Sequence, residues 1–185
     1  MRILILLFTL SLFSFTASGP KVGDIIDSYN GVDVHFNGKI FNVQGRNVAP
    51  DGYNLGLRYQ CVEFAKRYYY QHYNHRMPNT YGHAKDFFDE SLGDVGFNTA
   101  RGLIQFRNTR RYMPETGDLI IYGPTKKNPY GHMGIITWVG VDQVEMIQQN
   151  WGKKTRRTLK LAEYQGIYTI ADWELVGWLR MPASQ

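Results

Sequence analysis

Thr116-Gly117-Asp118-Leu119-Ile120-Ile121-Tyr122 and Gly131-His132-Met133-Gly134-Ile135-Ile136-Thr137-Trp138-Val139 decide the fold class. Each is a short apolar run rich in β-branched residues and opened by glycine, the pattern of a buried strand. Only a loop containing Pro124 and Pro129 lies between them. Downstream, the turn Gly140-Val141-Asp142 leads to a third strand, Val144 to Asn150, and Thr155 to Leu161 and Glu174 to Met181 read as closing strands. Short connections of this kind join antiparallel neighbours. Upstream the period changes. Cys61, Phe64, Ala65, Tyr68 and Tyr69 recur at helical spacing through Tyr73, with Lys66 and Arg67 on the opposite side. Ala84, Phe87, Phe88 and Leu92 mark a second short helix ending near Gly93, while Phe97 to Pro114 is polar and carries neither period. Val32 to Val43 reads as a hairpin turning at Asn37-Gly38, followed by a Gly-, Asn- and Pro-containing loop from Gly45 to Tyr59. Helices first and a run of strands after them imply an α+β domain, with N-terminal helices packed on an antiparallel sheet.

The amino terminus points to a compartment. Arg2, the apolar run Ile3 to Phe15 and the small residues Thr16-Ala17-Ser18-Gly19 have the outline of a secretory signal peptide. The apolar run is too short to span a bilayer, which takes about 20 residues. The expected organisation is a signal peptide over 1–18 and a single domain over 19–185, exported to the periplasm or medium without a membrane anchor, and monomeric. Removing Arg2 lowers the formal net charge from +5 to +4. That modest excess suits anionic polymers such as those of a cell wall. No nucleic-acid-binding motif accompanies it, and no His, Asp and Cys cluster has metal-ligand spacing, so neither metal nor cofactor is expected.

Cys61 is the only cysteine, so no intramolecular disulfide can form. An unpaired cysteine in an exported chain is either a buried, inert core residue or one kept for its reactivity. The loop before it and the helix after it put Cys61 in a first helical turn. There, backbone N–H groups and the positive end of the helix dipole favour a thiolate and can receive an oxyanion. A reactive thiol also needs an imidazole within reach. His35, His72, His75 and His83 read as surface or capping residues, whereas His132 opens a buried strand after a glycine and a flexible loop. It can face a cleft between sheet and helix terminus, or be simply a hydrogen-bonded histidine at a strand end. A third group should accept the other imidazole N–H. Gln148 and Asn150 share one face of the next strand, and either amide carbonyl can serve.

Tyr59-Gln60-Cys61-Val62-Glu63-Phe64-Ala65 resembles the cysteine-helix motif of CHAP domains, the cysteine, histidine-dependent amidohydrolases/peptidases. Gly117 to Tyr122 and Tyr130 to Ile136 resemble their Gly-Asp and His strands, and Gln148-Gln149-Asn150-Trp151 is similar to the strand whose usual pattern is Glu-x-Asn. Within the family, the likeness extends through Val176-Gly177-Trp178-Leu179-Arg180 to the amidase half of glutathionylspermidine synthetase/amidase. The resemblance covers roughly residues 55 to 181. It implies a papain-like α+β fold and amide hydrolysis through an acyl-enzyme, with Cys61 as nucleophile and His132 as base. Gln148 or Asn150 would orient the histidine, and Gln60 would join the Cys61 backbone N–H at the oxyanion site. Gln148 stands where the family places glutamate, which weakens support for an imidazolium.

Export directs the expected substrate to peptidoglycan. The alternatives are a glutathionylspermidine-type amide and a non-catalytic wall-binding module. The basic runs Arg107 to Arg111 and Lys153 to Arg157 read as solvated faces, although the second can border the cleft. Tyr68-Tyr69-Tyr70 and the four tryptophans read as core and sheet packing.

Overall fold

The computed structural model describes residues 19–183. The expected signal peptide over 1–18 lies outside the described residues. Twelve strands, one α-helix and one 3₁₀ turn follow in the order β1 Ile25–Tyr29, β2 Val32–His35, β3 Arg46–Val48, β4 Asn54–Leu57, α1 Cys61–Tyr73, a 3₁₀ turn Ala84–Phe87, β5 Gly96–Asn98, β6 Leu103–Arg107, β7 Leu119–Tyr122, β8 His132–Val139, β9 Gln143–Ile147, β10 Arg156–Tyr164, β11 Ile167–Ile170 and β12 Leu175–Arg180. Eight strands form one sheet in the order β11-β10-β9-β8-β7-β12-β6-β5, and every pairing in it is antiparallel. The class is α+β, with fewer helices than the sequence suggests. Among the described residues no helix is long and apolar enough to cross a membrane.

Period-two alternation in the sheet feeds two cores. Leu119 and Ile121 face α1 and pack with its Phe64, Ala65, Tyr68 and Tyr69. Ile120 and Tyr122, from the same strand, face the other way and join Ile136, Met146, Leu161 and Trp178. The sheet curls around this second core: Arg110, beyond β6, bridges to Tyr168 of β11 at the opposite edge. Tyr69 anchors the helix to the sheet, its hydroxyl donating to the carbonyls of Gly117 (3.0 Å) and Leu179 (3.1 Å).

Several expectations are corrected. The hairpin turns at Asn30-Gly31, both at positive φ (50° and 77°), and pairs β1 with β2. Asn37 is instead buried, at 2% exposure, and braces the site described below. The second helix is a single turn stopping at Phe87. The unassigned stretch from Phe97 to Pro114 contributes the end of β5 and all of β6. Of the four tryptophans only Trp178 is core; Trp138, Trp151 and Trp173 are exposed.

Candidate active site

Cys61 is the first residue of α1, with Gln60 as its N-cap. Gln60 makes no side-chain capping bond to the helix, which leaves the first-turn N–H groups without a side-chain acceptor. Its amide is spent on the surrounding loops: Nε2 donates to the carbonyls of Asn42 (2.7 Å) and Ile40 (3.2 Å), and Oε1 accepts from Asn150 Nδ2 at 2.6 Å. Offering that side chain to an oxyanion therefore means giving up one of these bonds, whereas the Cys61 backbone N–H faces its own thiol.

His132 opens β8, paired in register with Tyr122. Two glycines make its setting possible. Gly131 sits at φ +72°, and a Cβ there would lie 2.5 Å from the Tyr122 carbonyl oxygen and 3.0 Å from the Lys85 nitrogen. A Cβ on Gly134 would lie 2.6 Å from the Ile147 oxygen and 3.3 Å from Gln148 Cβ. Glycine here lets the end of β9 approach β8 closely enough for Gln148 to reach the imidazole.

His132 Nε2 and Gln148 Oε1 are 2.9 Å apart. The amide's orientation follows from its other end, since Gln148 Nε2 donates to the Lys154 carbonyl at 3.2 Å. The oxygen therefore faces the ring, His132 carries its proton on Nε2, and Nδ1 is the free base. Asn150 takes a different place. The chain leaves the strand at Ile147, and Asn150 adopts φ +66°. Its Oδ1 accepts from Asn37 at 2.8 Å, and its Nδ2 donates to Gln60 and to the Ile40 carbonyl. Of the two candidate third residues, Gln148 meets the histidine and Asn150 braces the loops beside Cys61.

Gln149, which the sequence reading passed over, ties this segment to the helix. Its Nε2 donates to Glu63 Oε2 (2.8 Å) and to the Gln60 carbonyl (3.1 Å), and its Oε1 accepts the His35 N–H at 2.7 Å. Glu63 is fully buried and also receives Arg67 Nε at 2.6 Å and Asn47 Nδ2 at 2.7 Å. Spacing alone could have flagged Glu63 and Arg67 as an i,i+4 pair.

Burial dominates the electrostatics. The Cys61 thiol is pushed up to about 11 by desolvation, partly offset by N–H groups of Met133, Val62 and Cys61 itself. His132 is pushed down to about 4 by desolvation, with Gln148 acting in the opposite direction and Arg157 adding repulsion. The sequence reading expected the helix terminus to favour a thiolate. The structure favours a neutral thiol and a neutral imidazole, because both groups are buried and among the described residues no carboxylate contacts the histidine. Trp151 adds to the enclosure, its ring 5.0 Å from the imidazole.

Cys61 and His132 both line one cleft of about 450 Å³, together with Gln60, Asn150, Arg46 and an apolar wall that includes Phe41, Leu57, Val62 and Tyr130. The basic run Lys153 to Arg157, read as a solvated face that could border the cleft, is not part of its lining; Arg156 pairs with Asp27 and Glu145, and Arg157 with Asp172. Among the described residues no group of three or more His, Cys, Asp or Glu could hold a metal ion.

Residues 50–150 match the CHAP domain family. Trypanothione synthetase of Crithidia fasciculata is 31% identical over 152 residues, covering 80% of this chain and 22% of that protein. The bifunctional glutathionylspermidine synthetase/amidase of Escherichia coli (strain K12) is 29% identical over 148 residues, covering 72% of this chain and 23% of that protein. Endolysin PlyTW of Staphylococcus phage Twort is 28% identical over 118 residues, covering 59% of this chain and 24% of that protein. The chain thus spans less than a quarter of the length of each relative.

Proposed function

Because the chain belongs to the CHAP domain family, we propose that it is an exported cysteine hydrolase that cleaves an amide bond of peptidoglycan through a Cys61 acyl-enzyme. The observation that carries this reading is that Cys61 and His132 line one cleft, with the histidine's Nε2 held by Gln148 and its Nδ1 left as the base.

In this mechanism Cys61 Sγ attacks the scissile carbonyl carbon while its proton passes to His132 Nδ1. The carbonyl oxygen takes up the negative charge beside the Cys61 N–H at the start of α1. Collapse breaks the C–N bond, and the leaving amine takes the proton from His132. Water, deprotonated by the same nitrogen, then hydrolyses the thioester and returns Cys61 to the thiol. Gln148 Oε1 accepts the Nε2–H throughout, so it fixes the tautomer while supplying no charge. With thiol and imidazole both neutral at rest, proton transfer accompanies attack, and the imidazolium exists only along the reaction path.

Peptidoglycan is supported by the signal-like amino terminus and by the similarity to an endolysin. A glutathionylspermidine-type amide is the second reading, supported by similarity to a glutathionylspermidine synthetase/amidase over 72% of the chain. Parallel digests of purified peptidoglycan and of glutathionylspermidine, with products identified by mass spectrometry, separate the two. New amines from peptidoglycan alone are expected. Turnover of glutathionylspermidine alone would replace the substrate assignment, and turnover of neither would leave a wall-binding module.

A further inference from the structure

The cleft beside Cys61 is electrostatically one-sided. Among the described residues its lining includes no aspartate or glutamate, and Arg46 is the only lysine or arginine on it. Six arginines pair with carboxylates, namely Arg67, Arg76, Arg107, Arg156, Arg157 and Arg180. Among the described residues Arg46 pairs with none, although it is exposed. Its guanidinium is nevertheless oriented: Nη1 donates to Asn54 Oδ1 at 2.9 Å, and Cζ lies 5.7 Å from the centre of the Tyr81 ring, also on the cleft wall. Among the described residues its other N–H groups have no partner, and they keep the planar fork that suits a carboxylate.

Two buried basic side chains brace this end of the cleft. Lys66, fully buried, donates to the Thr80 carbonyl at 2.7 Å and to that of Asn54. Arg101, 2% exposed, donates to the carbonyls of Asn79, Tyr81 and Asp86. Both clamp the loop that carries Thr80 to Ala84 of the cleft lining, and among the described residues neither forms an ion pair with a carboxylate. The wall is therefore held by carbonyl bonds; burial lowers Lys66 to about 7 and the Asp86 carboxylate lies near Arg101, so the charge that the cleft itself presents is that of Arg46. A carboxylate is the group that this arrangement would bind.

We propose that Arg46 is a specificity-determining residue that receives a free carboxylate on the substrate, so that the preferred substrate is an acidic peptide carrying that carboxylate near the scissile amide. The assignment rests on the reading of Cys61 as the nucleophile of an amide hydrolase. It also implies that polycationic tails find no partner on the cleft wall.

The test uses peptidoglycan stem peptides in two forms, with carboxylates free and with carboxylates converted to carboxamides. The wild type should favour the free acid by roughly 10-fold or more in kcat/KM, chiefly through KM, as a charge-assisted bond of this kind gives. Arg46→Gln should bring the ratio close to one, and Arg46→Lys should retain part of it. Equal turnover of both peptides by the wild type, or a ratio untouched by Arg46→Gln, overturns the assignment. Calorimetric binding of the same peptides to the Cys61→Ala protein is read separately. A binding preference that Arg46→Gln removes, without turnover by the wild type, would sink the hydrolase reading and leave Arg46 as an anion subsite. Absence of that preference would remove the subsite whatever the turnover.

Discussion

Replacing Gln148 with glutamate changes one atom type at the point where the site's proton balance is set. Gln148 Oε1 lies 2.9 Å from His132 Nε2, and the histidine stands near 4 because burial is opposed only by a neutral amide. A carboxylate at a charge separation of about 4 Å contributes on the order of 4 kcal/mol at an effective dielectric of about 20, or roughly three pKa units. Gln148→Glu should therefore raise His132 from about 4 toward 7 and favour the thiolate–imidazolium form of the pair. The cost falls on the other side of the residue. Gln148 Nε2 now donates to the Lys154 carbonyl, and a carboxylate oxygen there leaves that carbonyl unsatisfied, costing about 1–3 kcal/mol of stability. The assay is the pH dependence of kcat/KM and of Cys61 alkylation by iodoacetamide, with thiolate absorbance as an independent readout. Wild-type activity should hold as pH falls toward about 4, since His132 is a neutral base above that point. In the variant the acid limb should move up by two to three units, and neutral-pH alkylation should quicken. An acid limb that does not move would refute the claim that a neutral Gln148 leaves His132 unprotonated.

Other consequences follow from the same geometry. His132 is depressed in the folded state, so the unfolded chain takes up its proton first. Stability should fall as pH drops from about 6.5 to about 4, by about 3 kcal/mol, and denaturant titrations should show that segment flattened in His132→Gln. Gly134→Ala places a Cβ 2.6 Å from the Ile147 oxygen; it should cost about 1–3 kcal/mol and lower kcat by displacing Gln148, as thermal unfolding and turnover would report. Glu63→Gln leaves the buried Arg67 without its counter-charge, and chemical denaturation should register a loss of about 3–5 kcal/mol.

The sheet was legible because Leu119 to Tyr122 and Met133 to Ile136 are apolar on both faces, a signal that survives without tertiary context. The helix was legible because Phe64, Ala65, Tyr68 and Tyr69 keep one side. What escaped was built on buried polar groups. β5 and the strand after it carry Asn98 and Gln105, which are buried yet satisfied by Phe87, Asp89 and each other, so their periodicity is broken by residues that look like loop. Two Asn-Gly pairs compete for the first hairpin. Val32 and Val34 supply the buried face that selects Asn30-Gly31, while Asn37 goes to Asn150. At the site, order and spacing singled out Cys61, His132 and Gln148 as candidates. They could not separate Gln148 from Asn150, because the strand reading gave both one face and the chain in fact departs from the strand after Ile147. Nor could they show the thiol's burial, which depends on the core cluster that Cys61 joins with residues such as Met133 and Ala84.

The central claim is that Cys61 carries out amide hydrolysis with His132 as its base. Its most direct test is the release of new primary amines from purified peptidoglycan by the wild-type protein and by Cys61→Ala. Steady release by the wild type, abolished in Cys61→Ala with unchanged thermal unfolding, is the predicted result. Equal release by the two proteins would contradict it.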